Sequence, residues 1–223
     1  TAESARQLYY EYMTYRVKPI SGTFFQPSPH SPLKGNLEKW NAMFSEMKSL
    51  GMDTFIIQWT VRNNVAFYSS DLSWIKEQQA DILKIALDMA KKWGFDVIIG
   101  LDFSDRWWKN ERGYLAKVAE RNLEIIKEIK AKYLPHPHFK GWYIPQEISN
   151  YTSTISYLDS EIRDFLIRMG EIRDKETPSA TLSLAPFFNA TVDSFSSDDE
   201  YAQWWRRVAT GTGLDIIMLQ DGI

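Results

Sequence analysis

Residues 82–103 read ILKIALDMAKKWGFDVIIGLDF, and the fold is decided where this stretch changes period. Ile82, Ile85, Ala86, Met89 and Trp93 recur every three or four positions, which predicts an amphipathic helix. Gly94 follows where a helix C-terminus favours a residue without Cβ. Two residues later, Val97 to Phe103 is apolar almost throughout, the pattern of a parallel strand covered on both faces.

The same unit is written elsewhere. Gly51-Met52-Asp53 and Gly213-Leu214-Asp215 echo Gly94-Phe95-Asp96, each ending a helix and launching an apolar strand. Helical spacing predicts further helices from Asn36 to Leu50, Leu115 to Ile129, Ser156 to Ile172 and Ser197 to Val208, the last with Ser197 and Glu200 at capping-box spacing. Strands are expected at Ile20–Gln26, Thr54–Trp59, Val97–Phe103, Phe139–Ile148, Thr181–Phe188 and Asp215–Asp221. Alternating strand and helix with short αβ turns and longer βα loops predicts the α/β class and, within it, a (β/α)8 TIM barrel.

Six units are visible where a closed barrel needs eight, and residue 223 falls directly after the sixth strand. The expectation is therefore one domain over residues 1–223, incomplete at its C-terminus, with strands 7 and 8 on the protein's own C-terminal segment. The rival is an open doubly wound sheet. It is weakened because Phe24-Phe25-Gln26-Pro27-Ser28-Pro29 stands where a Gly-rich phosphate loop would follow the first strand.

Composition narrows the partners. The sequence carries 26 Lys and Arg against 29 Asp and Glu, a net charge of −3, so no basic field is available for a polyanion and nucleic acid is disfavoured. No apolar run approaches the ~20 residues of a membrane helix. The absence of cysteine excludes disulfide frameworks, thiolate metal sites and cysteine nucleophiles. Aromatics reach 14%, and several lie outside the periodic segments, where a ligand-facing surface is worth testing.

In such a barrel, function gathers at strand C-termini. Strand 1 ends in Gln26, strand 2 in Gln58 and Trp59, strand 3 in Asp102 with Trp107 and Trp108 beyond, strand 4 in Gln146 and Glu147, and strand 6 in Gln220 and Asp221. Packing does not require a polar residue at the end of strand after strand, so these predict a polyol-binding mouth. Alternation puts Tyr143, Pro145 and Glu147 on one strand face, where Glu147 could act as a general acid with a raised pKa. The rival reading is a Glu paired with a neighbouring Arg or Lys. Trp59, Trp107, Trp108 and Tyr143 are expected to offer flat faces to a pyranose, although one of Trp107 and Trp108 is expected to pack beneath its loop. Phe67, Tyr68 and Trp74, with Trp107 and Trp108, are expected to line one groove. His136-Pro137-His138 precedes strand 4 at the opposite end and reads as a loop, so neither metal nor cofactor is predicted.

The strand-four ending GWYIPQE, together with ISGTFFQ, DTFIIQW, VIIGLDF followed by SDRWW, and DIIMLQDGI, resembles a bacterial family of uncharacterised domains grouped with the TIM-barrel glycoside hydrolases. The resemblance runs from about Ile20 to the end. It implies an oligosaccharide or polysaccharide partner and a location outside the cytoplasm of a bacterium. In the broader clan of retaining glycosidases on this fold, the acid/base Glu ends strand 4, normally after Asn, and the nucleophile Glu ends strand 7. Glu147 matches the first position, with Gln146 in place of Asn. The alternatives are a catalytically silent sugar-binding barrel and an α/β scaffold for a non-carbohydrate ligand.

Overall fold

The computed structural model describes residues 20–189 and 198–222. Six parallel strands form the main sheet: β1 (Gly22–Phe25), β2 (Thr54–Ile57), β3 (Asp96–Gly100), β4 (Phe139–Ile144), β5 (Thr181–Leu184) and β6 (Ile216–Ile217). Among the described residues, β1 to β5 are followed in turn by helices α1 (Leu37–Ser49), α2 (Ile82–Trp93), α3 (Tyr114–Tyr133), α4 (Leu158–Glu176) and α5 (Asp198–Ala209). The strands lie in the sheet in the order of the sequence, with Phe24 opposite Ile56 and Ile56 opposite Ile98.

Local chemistry fixes each unit. The Asp81 carboxylate accepts from the Lys84 amide at 2.9 Å and caps the start of α2, while Gly94 stops it in the left-handed region at φ 69°. Gly51 and Gly213 also take positive φ, 85° and 80°, so the repeated Gly-x-Asp turn is one backbone device used three times. The buried face of α2 is Ile82, Leu83, Ala86, Leu87 and Ala90, with Ile85, Met89 and Trp93 flanking it at the edge. Ser197, expected to cap α5, lies outside the described residues.

Strand residues of alternate parity go to two different places. Phe55, Ile57, Val97, Ile99, Trp142, Ile144, Leu182 and Leu184 join the helices in one large core. Ile56, Ile98, Tyr143 and Ala185 form a second, small cluster that contains no helix residue among the described residues. A doubly wound sheet would carry helices on both faces, whereas the helices among the described residues cover one. The uncovered face is concave. The rings of Phe24 in β1 and Tyr143 in β4 meet at 5.2 Å between centroids, whereas three steps of about 4.8 Å across a flat sheet would hold them far apart.

Several strands end earlier than their apolar runs predict. β4 stops at Ile144 because Pro145 has no N–H to give to the ladder. Ala185 and Pro186 interrupt β5, and the chain resumes as Phe187–Asn189, paired in parallel with Gln220–Gly222. Asp102–Phe103 leaves the main sheet to pair with Val61–Arg62, in a small sheet that also holds Val65–Ala66 and Glu77–Gln78. This excursion after β2 is not visible in the apolar pattern.

Candidate active site

The C-terminal ends of β3 and β4 bring four of the expected residues together. After Pro145 the chain turns, with the Ile148 amide donating to the Gln146 carbonyl at 2.9 Å, and then runs beside the continuation of β5 through Phe187 N–H to Ile148 O at 2.9 Å. Glu147 stands on this turn, half-buried. The indole N–H of Trp107, from a short 3-10 turn at Asp105–Lys109, donates to the Glu147 main-chain carbonyl at 3.3 Å. Gln146 is buried and gives its amide Nε2 to the Asp102 carbonyl at 2.8 Å, leaving its Oε1 without a partner.

Among the described residues, no cation pairs with the Glu147 carboxyl, and burial raises its pKa above the ordinary carboxylate value. That disposes of the salt-bridge reading among the described residues. Tyr143 is fully buried on the concave face below, its hydroxyl unpartnered and its pKa raised by burial and then by the charge of Glu147.

Asp102 has a different position from the one expected. Its buried carboxylate is gripped by Arg121 of α3, Nε to Oδ2 at 2.7 Å and Nη2 to Oδ1 at 3.2 Å, and its amide donates to the side-chain carbonyl of Asn122 at 3.0 Å. Burial outweighs the attraction of Arg121 and pushes the Asp102 pKa up to about 6. The pair faces the helix layer, and the Arg121 guanidinium lies 3.7 Å from the Trp74 ring centre. Asp102 is therefore a buried member of an internal ion pair. Asn122, missed in the sequence, carried a signal: it falls in the buried register of α3 between Val118 and Ile125, where an apolar residue is the rule.

The expected aromatic groove is also corrected. Trp59 is 5% exposed, donates to the Pro27 carbonyl at 2.9 Å, and stacks on Phe103 at 5.6 Å between centroids. Phe67, Tyr68 and Trp107 are buried in the same core. The loop after β2 is held in by Glu128 of α3, which accepts from Tyr68 and Ser70 at 2.7 Å each and from the Asp71 amide at 2.5 Å. Trp108 is the exception at 55% exposure, edge-on to Phe103, so one of the adjacent pair packs under its loop and the other faces out.

The remaining expected residues sit at the strand ends without meeting Glu147 in a recorded contact. Gln26 is exposed after β1, and Gln58 is buried after β2. Asp221 pairs through its backbone with Phe188, and its side chain lies outside what the structure describes. His136 and His138 lie at the other end of the sheet, where the His138 carbonyl accepts from Val97 at the start of β3. Among the described residues no three His, Asp or Glu side chains gather as a metal site requires, and no helix is long and apolar enough to cross a membrane.

Residues 20–223 match a family model described as a domain of unknown function, DUF4434. No curated protein matches the chain. Among solved structures, a candidate alpha-L-fucosidase from Bacteroides thetaiotaomicron is 24% identical with a TM-score of 0.71, over 92% of this chain and 64% of that one. A beta-1,4-D-mannanase from Cryptopygus antarcticus is 13% identical with a TM-score of 0.53, over 89% and 66%. A beta-mannanase from the blue mussel Mytilus edulis is 14% identical with a TM-score of 0.55, over 89% and 69%. The chain thus spans less than two thirds of the first two. At these identities the likeness establishes the fold, a partial barrel of the kind that TIM-barrel glycosidases share.

Proposed function

The chain belongs to the DUF4434 family, and from that premise we propose that it acts on a carbohydrate as a glycoside hydrolase-like barrel with Glu147 as general acid/base. The observation that carries this reading is the state of Glu147. It is a half-buried carboxyl with a raised pKa and, among the described residues, no ion-pair partner, on the turn just after the C-terminal end of the fourth parallel strand. An acid that protonates a leaving oxygen near neutral pH needs that environment. The fold it shares with glycosidases supports the same chemistry, and Trp108 offers an exposed ring for a sugar face.

Glycoside hydrolysis needs a second carboxyl across the scissile bond, and Asp102 is occupied by Arg121. We place that second group on two further strand–helix units that would close the barrel. The support is the apolar edge beyond β5: Ile216, Ile217 and Leu219 are exposed, beside a groove formed by Phe188, Trp205 and Ala209. An intact mass of the protein from its source exceeding 26.0 kDa by roughly 8 kDa is expected. The function itself is tested by release of reducing sugar from a panel of oligosaccharides by the complete protein and by its Glu147→Gln variant. Turnover lost in the variant supports the assignment, and equal turnover overturns it.

A further inference from the structure

A line of buried polar side chains leads from helix α3 to the turn that carries Glu147, through a layer where apolar residues would pack at less cost. It begins at Asn122, whose side-chain carbonyl accepts from the Asp102 amide at 3.0 Å. Arg121, beside it on α3, holds the Asp102 carboxylate through Nε at 2.7 Å. Asp102 is thus fixed to the helix by its amide and by its side chain, and its carbonyl is free to accept from Gln146 Nε2 at 2.8 Å. Gln146 is buried, so its amide is closed to a ligand in the mouth, and its own Oε1 is left without a partner. That is a costly arrangement for a side chain whose only task is to fill space. Gln146 is covalently joined to Glu147, and its main-chain carbonyl accepts from the Ile148 amide at 2.9 Å, so it anchors both ends of the turn.

We propose that Gln146 is a positioning residue for Glu147, with Asp102, locked to α3 by Arg121 and Asn122, as the fixed point from which it holds the turn. This rests on the acid/base reading of Glu147. A reacting carboxyl has to be kept within a fraction of an ångström of its working place, by neighbours whose own side chains are locked. The Gln146 amide meets that need, because the carbonyl it binds belongs to a residue tied down at two other points. The buried ion pair of Asp102 and Arg121 thereby acquires a task beyond packing. Two further bonds complete the hold: the Trp107 indole donates to the Glu147 carbonyl, and the Phe187 amide donates to the Ile148 carbonyl at 2.9 Å. The turn is therefore gripped from the β3 segment on one side and from the continuation of β5 on the other.

The test is a carbon-13 NMR titration of the Glu147 carboxyl in the complete protein, assigned by loss of its signal in Glu147→Gln. Gln146→Met keeps the length of the side chain and removes the donor. The turn should then swing toward water, and the Glu147 midpoint should fall toward the ordinary glutamate value, a loss of proton affinity of about threefold or more. Asn122→Ala releases the Asp102 amide from α3 without altering any charge, and should move the midpoint the same way by less. Ile129→Val, a buried change on the same helix away from these bonds, should leave it in place. Circular dichroism shows which variants are folded. An unchanged or higher midpoint in folded Gln146→Met overturns the proposal, and if that variant does not fold, an unmoved midpoint in Asn122→Ala overturns it. An equal fall in Ile129→Val also overturns it, since any loosened packing would then do the same. No readout uses turnover, so loss of the hydrolase reading through unchanged activity in Glu147→Gln would be seen separately.

Discussion

The indole nitrogen of Trp107 donates to the main-chain carbonyl of Glu147 at 3.3 Å, tying the loop after β3 to the turn that carries the only unpaired carboxyl described at this mouth. Trp107 is 2% exposed and its neighbour Trp108 is 55% exposed, so adjacent residues of one type have opposite work. Trp107→Ala should lower stability by about 3 to 5 kcal/mol, through a cavity and a lost anchor. Trp108→Ala should leave the denaturation midpoint almost unmoved and weaken oligosaccharide binding by about 1 to 3 kcal/mol. Denaturant titration and calorimetric binding on both variants would separate the two roles, and equal effects on both would refute the division.

For Glu147, the amide of Glu147→Gln keeps the shape and loses the transferable proton. Turnover of a glycoside with a sugar leaving group should fall by ~100-fold or more, and by less with a nitrophenyl leaving group that departs without protonation. The acid must hold its proton to act, and its pKa lies above the ordinary carboxylate range. Activity should therefore persist above that range and decline on the alkaline side as Glu147 ionises. Steady-state rates against pH for both leaving groups check this, and an alkaline limb unaffected by the substitution would count against it.

Asp102 gives a prediction on stability. Its folded pKa is about 6, raised above that of an unfolded aspartate, so the folded protein binds a proton that the unfolded chain has already released between about pH 4 and 6. The contribution is fully present below about pH 4 and is lost as pH rises through 6, a swing on the order of 2 to 3 kcal/mol. Urea midpoints of the unaltered protein and of Asp102→Asn, measured from pH 4 to 7, should differ in slope in that direction. Parallel curves would show that Asp102 does not titrate there.

A last prediction concerns close approach of the backbone. A Cβ at Gly100 would fall against the Gln58 carbonyl oxygen, whereas one at Gly35 would meet only the Ala80 side chain at an ordinary 3.7 Å. Gly100→Ala should destabilise by about 1 to 3 kcal/mol or more, and Gly35→Ala should be near neutral. Thermal unfolding of the pair is the check.

Much of this fold was legible from a single repeated device. The Gly-x-Asp turn and the helical register of α1 to α5 depend on local sequence, and each helix falls within a few residues of its expected place. What local pattern could not supply was direction and ending. Apolar runs continued past the points where Pro145, Pro186 and the departure of Asp102 toward Val61 break the ladder, because burial persists there after pairing stops. The site shows the same division. Glu147 was marked by its place at a strand end, but Trp59 and Asp102 occupied equivalent places and turned into the helix layer, where their partners Pro27 and Arg121 come from other segments of the chain.

The order of the strands also bears on how the chain acquires its shape. In the main sheet each of β2 to β6 pairs with the strand of that sheet made just before it, and each strand–helix unit spans about 40 residues. At synthesis rates of about 5 to 20 residues per second, one unit emerges over roughly 2 to 8 seconds, far longer than the microseconds a helix or hairpin needs to form. The barrel can therefore be laid down stave by stave on the ribosome, each new strand finding its neighbour already in place. In refolding from denaturant all the edges are exposed at once, so the isolated chain should be more prone to misassembly than the nascent one.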